Sequence, residues 1–219
     1  MLGRSIVATR IDLRVEGVEN VPRRGACLIV ARHFHHLYDG AALVAAISRP
    51  VHILVALDWV RGPAARVAME ALCGSAGWPV VLREDALEDA RKEGARPAYR
   101  PAERRRYLVR ALEQAQTLLR TGQLLAIFPE GYPTVDPVSR RKDETGWLPF
   151  RAGFATIAER AVRAGTPVAL VPAGFAYDAA DAQRPGVVLR FGPPIVVERT
   201  FSRERIVEVV EHVVRELSR

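Results

Sequence analysis

"ACLIVARHFHHLYDG", Ala26 to Gly40, decides the fold. Its first six residues form an unbroken apolar run. Such a run marks a strand covered on both faces, as in a parallel sheet flanked by helices. The run stops at Ala31, and a helix is expected to begin near Asp39. Between them fall His33, His35 and His36, three of the chain's five histidines. They stand at the carboxyl end of a buried strand, where ligands of open α/β sheets collect.

The same pattern repeats outward from this stretch. "LLAIF" and "PVALVPAGF" read as further buried strands, "VHILVAL" as another, and "GWPVVLR" as a strand ending at Arg83. "IDLRVEG" alternates, which predicts an edge strand over Ile11 to Glu16, and "VVLRFGPPI" a late strand with a turn. Helices are expected over "DGAALVAAIS" and over Arg61 to Leu72, with Pro63 in the first turn. Leu108, Leu112, Ala115 and Leu119 recur at helical spacing before Gly122, and "RAGFATIAERAVRAG" reads as a helix ended by Gly165. Ser202 is the expected N-cap of a final helix whose apolar stripe is Ile206, Val210, Val213 and Leu217. Residues 84–106 are charge-dense, with Pro97 and Pro101, and read as an inserted helix and loop; residues 132–149 read as a long loop. Strands alternating with helices predict an α/β protein, a single domain over residues 1–219 with a largely parallel central sheet flanked by helices.

With 49% hydrophobic residues spread through 219 positions, the chain can build a sizeable core, which excludes disorder. The net charge of +7 is almost all arginine, because Lys92 and Lys142 are the only lysines. Guanidinium forks suit phosphate and carboxylate oxygens, so nucleic acid, anionic lipid and phosphorylated small molecules all enter as partners. No helix-turn-helix, RNA-binding or zinc signature supports nucleic acid. Cys27 and Cys73 are far apart among apolar residues, and read as buried thiols in a reducing compartment. No secretory signal is expected at the amino end. The most apolar stretch, Ala41 to Val60, has Arg49, Pro50 and His52 at its centre, which argues against a membrane span. The protein is expected to be soluble or to lie on a membrane surface.

Four stretches carry chemistry. In "RHFHHLYDG" a histidine can serve as general base near neutral pH, and Asp39 can fix its tautomer. A metal site would need a third ligand that this stretch does not offer. In "FPEGYP", Phe128 to Pro133, a proline–glycine turn holds Glu130 at a strand end, where it can accept hydrogen bonds from a hydroxylated substrate beside the Gly131 backbone. In "PFRAGF", Arg151 stands at a helix N-terminus, a natural place for an anion. Arg83 closes the fourth stretch, "VVLR".

In this order and spacing the four stretches, with the "ALVPAGF" strand and the late "FGPPI" turn, resemble the glycerophospholipid acyltransferase family, in its bacterial, lysophosphatidate-acyltransferase-like form. The resemblance runs over about residues 11 to 217, and Phe-Pro-Glu-Gly is its most specific element. It implies transfer of a fatty acyl group from an acyl thioester, on coenzyme A or acyl carrier protein, to a hydroxyl of a lysophospholipid such as 1-acylglycerol 3-phosphate. It implies a histidine base oriented by Asp39, an acceptor positioned by Phe128, Pro129, Glu130 and Gly131, and a phosphate near Arg83 and Arg151. No metal and no resident cofactor follow from it. A lipid acceptor implies peripheral contact with an anionic membrane, on the cytoplasmic face of the cell membrane. Trp147, Leu148 and residues 84–106 are the candidate membrane contacts or lid.

The first motif departs from the family. The family places four residues between histidine and aspartate, and the position with that spacing here is Phe34. His33 has five residues before Asp39, His35 three and His36 two. Anchored on the strand, the base is His33; His35 shares a helix face with Asp39 if the helix starts early; His36 is the remaining alternate. Arg151 stands where the family often has lysine. The altered spacing leaves two other readings open: a related acyltransferase or hydrolase with a different acceptor, or a lipid-binding protein whose catalytic site has lapsed.

Overall fold

The computed structural model describes residues 2–92, 97–135, 146–178, 184–198 and 200–219. In chain order the elements are α1 (Leu2–Arg10), β1 (Asp12–Glu16), β2 (Cys27–Ala31), α2 (Tyr38–Ala46), β3 (Val51–Ile53), β4 (Val55–Ala56), α3 (Pro63–Ala76), β5 (Val80–Val81), α4 (Glu84–Lys92), α5 (Arg104–Arg120), β6 (Leu124–Ile127), α6 (Gly153–Arg163), β7 (Ala169–Tyr177), β8 (Gly186–Phe191), β9 (Ile195–Val196) and α7 (Arg203–Leu217). The chain folds as two compact units, one of Met1–Val51 with Leu118–Arg219 and the other of His52–Thr117.

The larger unit is built on a sheet in the order β1-β8-β7-β2-β6, with β9 against β7. β2 pairs in parallel with both β6 and β7, and β1 pairs in parallel with β8, while β7 and β8 run antiparallel. The sheet is thus largely parallel, as the apolar runs required. All five residues of β2 and all four of β6 are buried, because both faces of these central strands are covered. α7 lies on β7 and β2, and α6 lies on α7. Each fully buried aliphatic side chain here, such as Leu28, Ile29, Leu125 or Val210, contributes about 1.5–3 kcal/mol. Gly174 in β7 permits the close approach of α7, since a Cβ there would lie 2.4 Å from the carbonyl carbon of Leu217. Cys27 is a free thiol within this core, and burial pushes it up to about 12.

The smaller unit has a core of Leu57, Val60, Cys73, Leu82, Leu87, Tyr99 and Tyr107. β4 and β5 form its two-stranded parallel sheet. α3 starts at Pro63, whose fixed φ and missing N–H suit the first helical turn, and ends at Gly77 in the left-handed region. Arg66 on α3 is held inside this unit, its guanidinium paired with Glu70 and Glu103 and stacked 4.4 Å over the Tyr99 ring.

Several expected boundaries shift. "VHILVAL" is not one buried strand but two short ones, β3 and β4, with most of their residues half-buried. On α5 the buried positions are Tyr107, Ala111, Ala115 and Leu119, and Leu108 faces solvent. On α7 they are Ile206, Val210 and Val214, with Val213 and Leu217 at the margin. In each helix the stripe follows the i, i+4 row more closely than the apolar residues alone suggested. Ser202 caps α7 as expected, accepting the Arg205 N–H at 3.1 Å. The amino-terminal α1, which the sequence pattern did not mark, lies on α2.

Candidate active site

β2 delivers the first motif. Arg32 N–H still bonds the Ala173 carbonyl of β7 at 3.2 Å, and the chain then turns into α2. Asp39, in the first turn of α2, is wholly buried and gathers that turn around itself. Its Oδ2 accepts the Phe34 N–H at 2.7 Å, the His35 N–H at 2.9 Å and His33 Nδ1 at 2.9 Å. Its Oδ1 accepts the Tyr177 hydroxyl from the end of β7. An oxygen that already receives two backbone N–H groups acts as a carboxylate acceptor, so His33 Nδ1 carries the proton. That tautomer leaves Nε2 with a free lone pair.

The longer spacing between His33 and Asp39 is therefore accommodated by the turn, whose Phe34 and His35 N–H groups both point at the Asp39 carboxylate. The other two histidines are used differently. His35 stacks on Tyr38 at 4.0 Å and on His36 at 4.5 Å. Its Nδ1 accepts the Leu37 N–H at 3.2 Å and the Tyr38 N–H at 3.3 Å, which satisfies the start of α2. Its backbone, not its ring, reaches Asp39. Burial lowers its pKa, and the neighbouring His36 adds to that. His36 is exposed.

β6 delivers the second motif beside the first, since β2 and β6 are neighbours in register. The Phe128 ring stacks on His33 at 4.4 Å. Gly131, at φ 77°, closes a turn in which its N–H bonds the Phe128 carbonyl at 3.1 Å. This left-handed position suits glycine. Glu130 is buried on the same turn, and its Oε2 accepts the His33 N–H at 2.8 Å. Burial pushes its pKa up to about 7; the His33 N–H, the charge of Arg32 and the Leu148 N–H act in the opposite sense. The chain after the turn is tied back as well: Thr134 N–H bonds the His33 carbonyl at 2.9 Å, and Val135 N–H bonds that of Phe34 at 3.0 Å.

The raised Glu130 value has a consequence for stability. The neutral acid is the favoured buried form, so its contribution is complete below about pH 4.5 and is lost as pH rises through about 7. Urea unfolding of wild type and Glu130→Gln at about pH 5 and about pH 8 measures this. Wild type is expected to lose roughly 2 kcal/mol more than the variant over that interval.

Arg151 also reaches this place. Its N–H bonds the Pro129 carbonyl at 3.0 Å, and its exposed side chain lies against Gly131 and 5.7 Å over the Tyr132 ring. The larger unit thus brings together His33, Asp39, Phe128, Pro129, Glu130, Gly131 and Arg151. Arg83 belongs to the smaller unit. There it is fixed by Asp58, with Nε 2.9 Å from Oδ2, Nη2 2.5 Å from Oδ1 and its N–H 2.9 Å from Oδ2. Trp147 and Leu148, expected at a membrane or lid, are buried. The Arg32 guanidinium covers the Trp147 ring at 4.0 Å and Arg215 lies 5.0 Å from it. Of the other candidate, residues 84–106, positions 93–96 lie outside the described residues, as do 136–145 of the long loop.

Sequence reasoning missed Tyr177, Asp58 and Arg32. Tyr177 ends a buried strand beside the site, and that position was its only signal. Among the described residues no group of three or more His, Cys, Asp and Glu side chains is arranged to hold a metal ion.

A buried strand ending in a His–Asp pair, next to a Pro-Glu-Gly turn on the neighbouring strand, defines the class. The family model described as Acyltransferase matches residues 12–176, and the chain belongs to that family. It is 31% identical over 166 residues to uncharacterised proteins of Mycobacterium bovis and Mycobacterium tuberculosis, a match that covers 73% of this chain. The matched region spans 37% of those relatives' length. The fold is similar to that of the 1-acyl-sn-glycerophosphate acyltransferase PlsC of Thermotoga maritima, with a TM-score of 0.59 at 20% identity. That likeness covers 94% of this chain and 70% of the other. Among the described residues no helix is long and apolar enough to cross a membrane.

Proposed function

We propose that the chain transfers a fatty acyl group from an acyl thioester, on coenzyme A or acyl carrier protein, to the free hydroxyl of a lysophospholipid such as 1-acylglycerol 3-phosphate. The observation that carries this reading is the 2.9 Å contact of His33 Nδ1 with a buried Asp39 that three further donors hold in place. Family membership supports the reaction type. The name of the Thermotoga maritima neighbour supports the choice of acceptor.

His33 Nε2 takes the proton of the acceptor hydroxyl as that oxygen attacks the thioester carbonyl. Asp39 stabilises the imidazolium that forms, and the tetrahedral intermediate collapses with loss of thiolate, which recovers the proton from His33. Glu130 and the Gly131 backbone position the acceptor. Arg151, exposed beside that turn, meets its phosphate. The scheme needs no metal and no resident cofactor. The protein works at the cytoplasmic face of the cell membrane, where its arginine-rich surface meets anionic headgroups.

The test supplies purified protein with an acyl thioester and liposomes carrying lysophosphatidate, and follows phosphatidate by mass spectrometry. Phosphatidate formed in step with thioester loss is the expected result. Thioester loss without phosphatidate would mean another acceptor or water, and no thioester loss would remove the enzymatic reading.

A further inference from the structure

Tyr177 is absent from the motifs that mark the family, yet it touches the core of the site. It ends β7, and its hydroxyl donates to Asp39 Oδ1 at 2.5 Å. The other carboxylate oxygen is the one filled by His33, Phe34 N–H and His35 N–H. The Tyr177 ring is itself held, stacked on Phe34 at 4.2 Å with 15° between the planes. Arg32 lies 5.3 Å from the Phe34 ring and 4.0 Å from that of Trp147, and Arg215 of α7 lies 5.0 Å from Trp147. A column of rings and guanidinium groups therefore runs from Arg215 of α7 through Trp147, Arg32 and Phe34 to Tyr177.

We infer that Tyr177 is a positioning residue for the His33–Asp39 pair: its O–H fixes the rotation of the Asp39 carboxylate, so that Oδ2 faces the His33 Nδ1–H. This rests on reading His33 as the base. Rotation about χ2 carries both carboxylate oxygens, and the three donors on Oδ2 resist it from one side only. The Tyr177 O–H on Oδ1 restrains it from the other. Burial, and then the charge of Asp39, push the Tyr177 hydroxyl far above the ordinary tyrosine range, so it stays a donor at every working pH. The other titratable groups around the pair come from different elements: Arg32 from the end of β2, Glu130 after β6, and His35, His36 and Tyr38 around the start of α2.

Tyr177→Phe keeps the ring and its stack and removes only the O–H. The His33 Nδ1–H proton resonance is expected to move upfield and broaden, because Asp39, free to turn, then bonds that proton less well. The acyl-transfer kcat is expected to fall roughly ten-fold with KM little changed. Phe34→Leu keeps the hydroxyl but loosens the stack, and should move the same resonance by less. An Nδ1–H resonance unchanged or moved downfield in folded Tyr177→Phe would overturn the inference, whatever the rate. A resonance shifted upfield in a protein that transfers no acyl group would remove the acyltransferase reading and leave the positioning of Asp39 standing.

Discussion

Asp39→Asn lowers the turnover of the proposed acyl transfer by ~10⁴-fold while the protein stays folded. The reason is that the substitution changes the proton pattern and leaves the shape alone. Oδ2 of Asp39 accepts from Phe34 N–H, His35 N–H and His33 Nδ1. An asparagine oxygen can take that place, but it is neutral and does little for an imidazolium. An asparagine turned the other way would aim its NH₂ at two backbone donors and press His33 into the tautomer with the proton on Nε2, where no proton can be accepted. The Tyr177 hydroxyl rotates to suit either amide atom, so the turn survives. Steady-state rates beside circular dichroism spectra check this. A folded variant within ten-fold of wild type would show that Asp39 is a structural residue.

The second large effect is on stability. Asp58→Ala should destabilise the smaller unit by about 3 kcal/mol or more, read by urea unfolding. Asp58 is 1% exposed and the Arg83 side chain 13% exposed. Removing the carboxylate leaves a guanidinium in a place built around a counter-charge. The paired replacement Asp58→Leu with Arg83→Met should recover most of that loss, because a buried ion pair is worth little against well-packed apolar groups. Acyl transfer by the double variant then separates stability from any part Arg83 has in phosphate binding. A single variant as stable as wild type would contradict the pairing.

The sequence carried the frame of the site because two of its strands are apolar without interruption. "ACLIVA" and "LLAIF" can only be central strands, and their neighbouring ends place His33 and Glu130 together. Choosing among three histidines was harder. Counting along the motif pointed to Phe34, which cannot act as a base; anchoring on the strand gave His33 as first choice, and helical spacing kept His35 as an alternate. In the structure His35 gives its N–H to Asp39 and spends its ring on the first turn of α2, which supports the proposal of His33 as the base. Side-chain spacing does not reveal which group of a residue is used.

The features that stayed hidden depend on contacts between residues remote in sequence. Asp58 and Arg83 lie 25 positions apart, and Tyr177 lies 138 positions from Asp39. Trp147 was a candidate membrane contact or lid, and in the structure it is buried with the guanidinium groups of Arg32 and Arg215 over its ring. The break between β3 and β4 has a similar origin, since an apolar run shows burial and not the partner each half pairs with.

One comparison tests the central claim directly: acyl transfer from a thioester to lysophosphatidate on liposomes by wild type, His33→Ala, His35→Ala and His36→Ala. The geometry predicts that His33→Ala alone loses turnover by several orders of magnitude, and that the other two remain within about ten-fold of wild type. Turnover retained by His33→Ala, with loss in His35→Ala or His36→Ala, would contradict the assignment of His33 as the base.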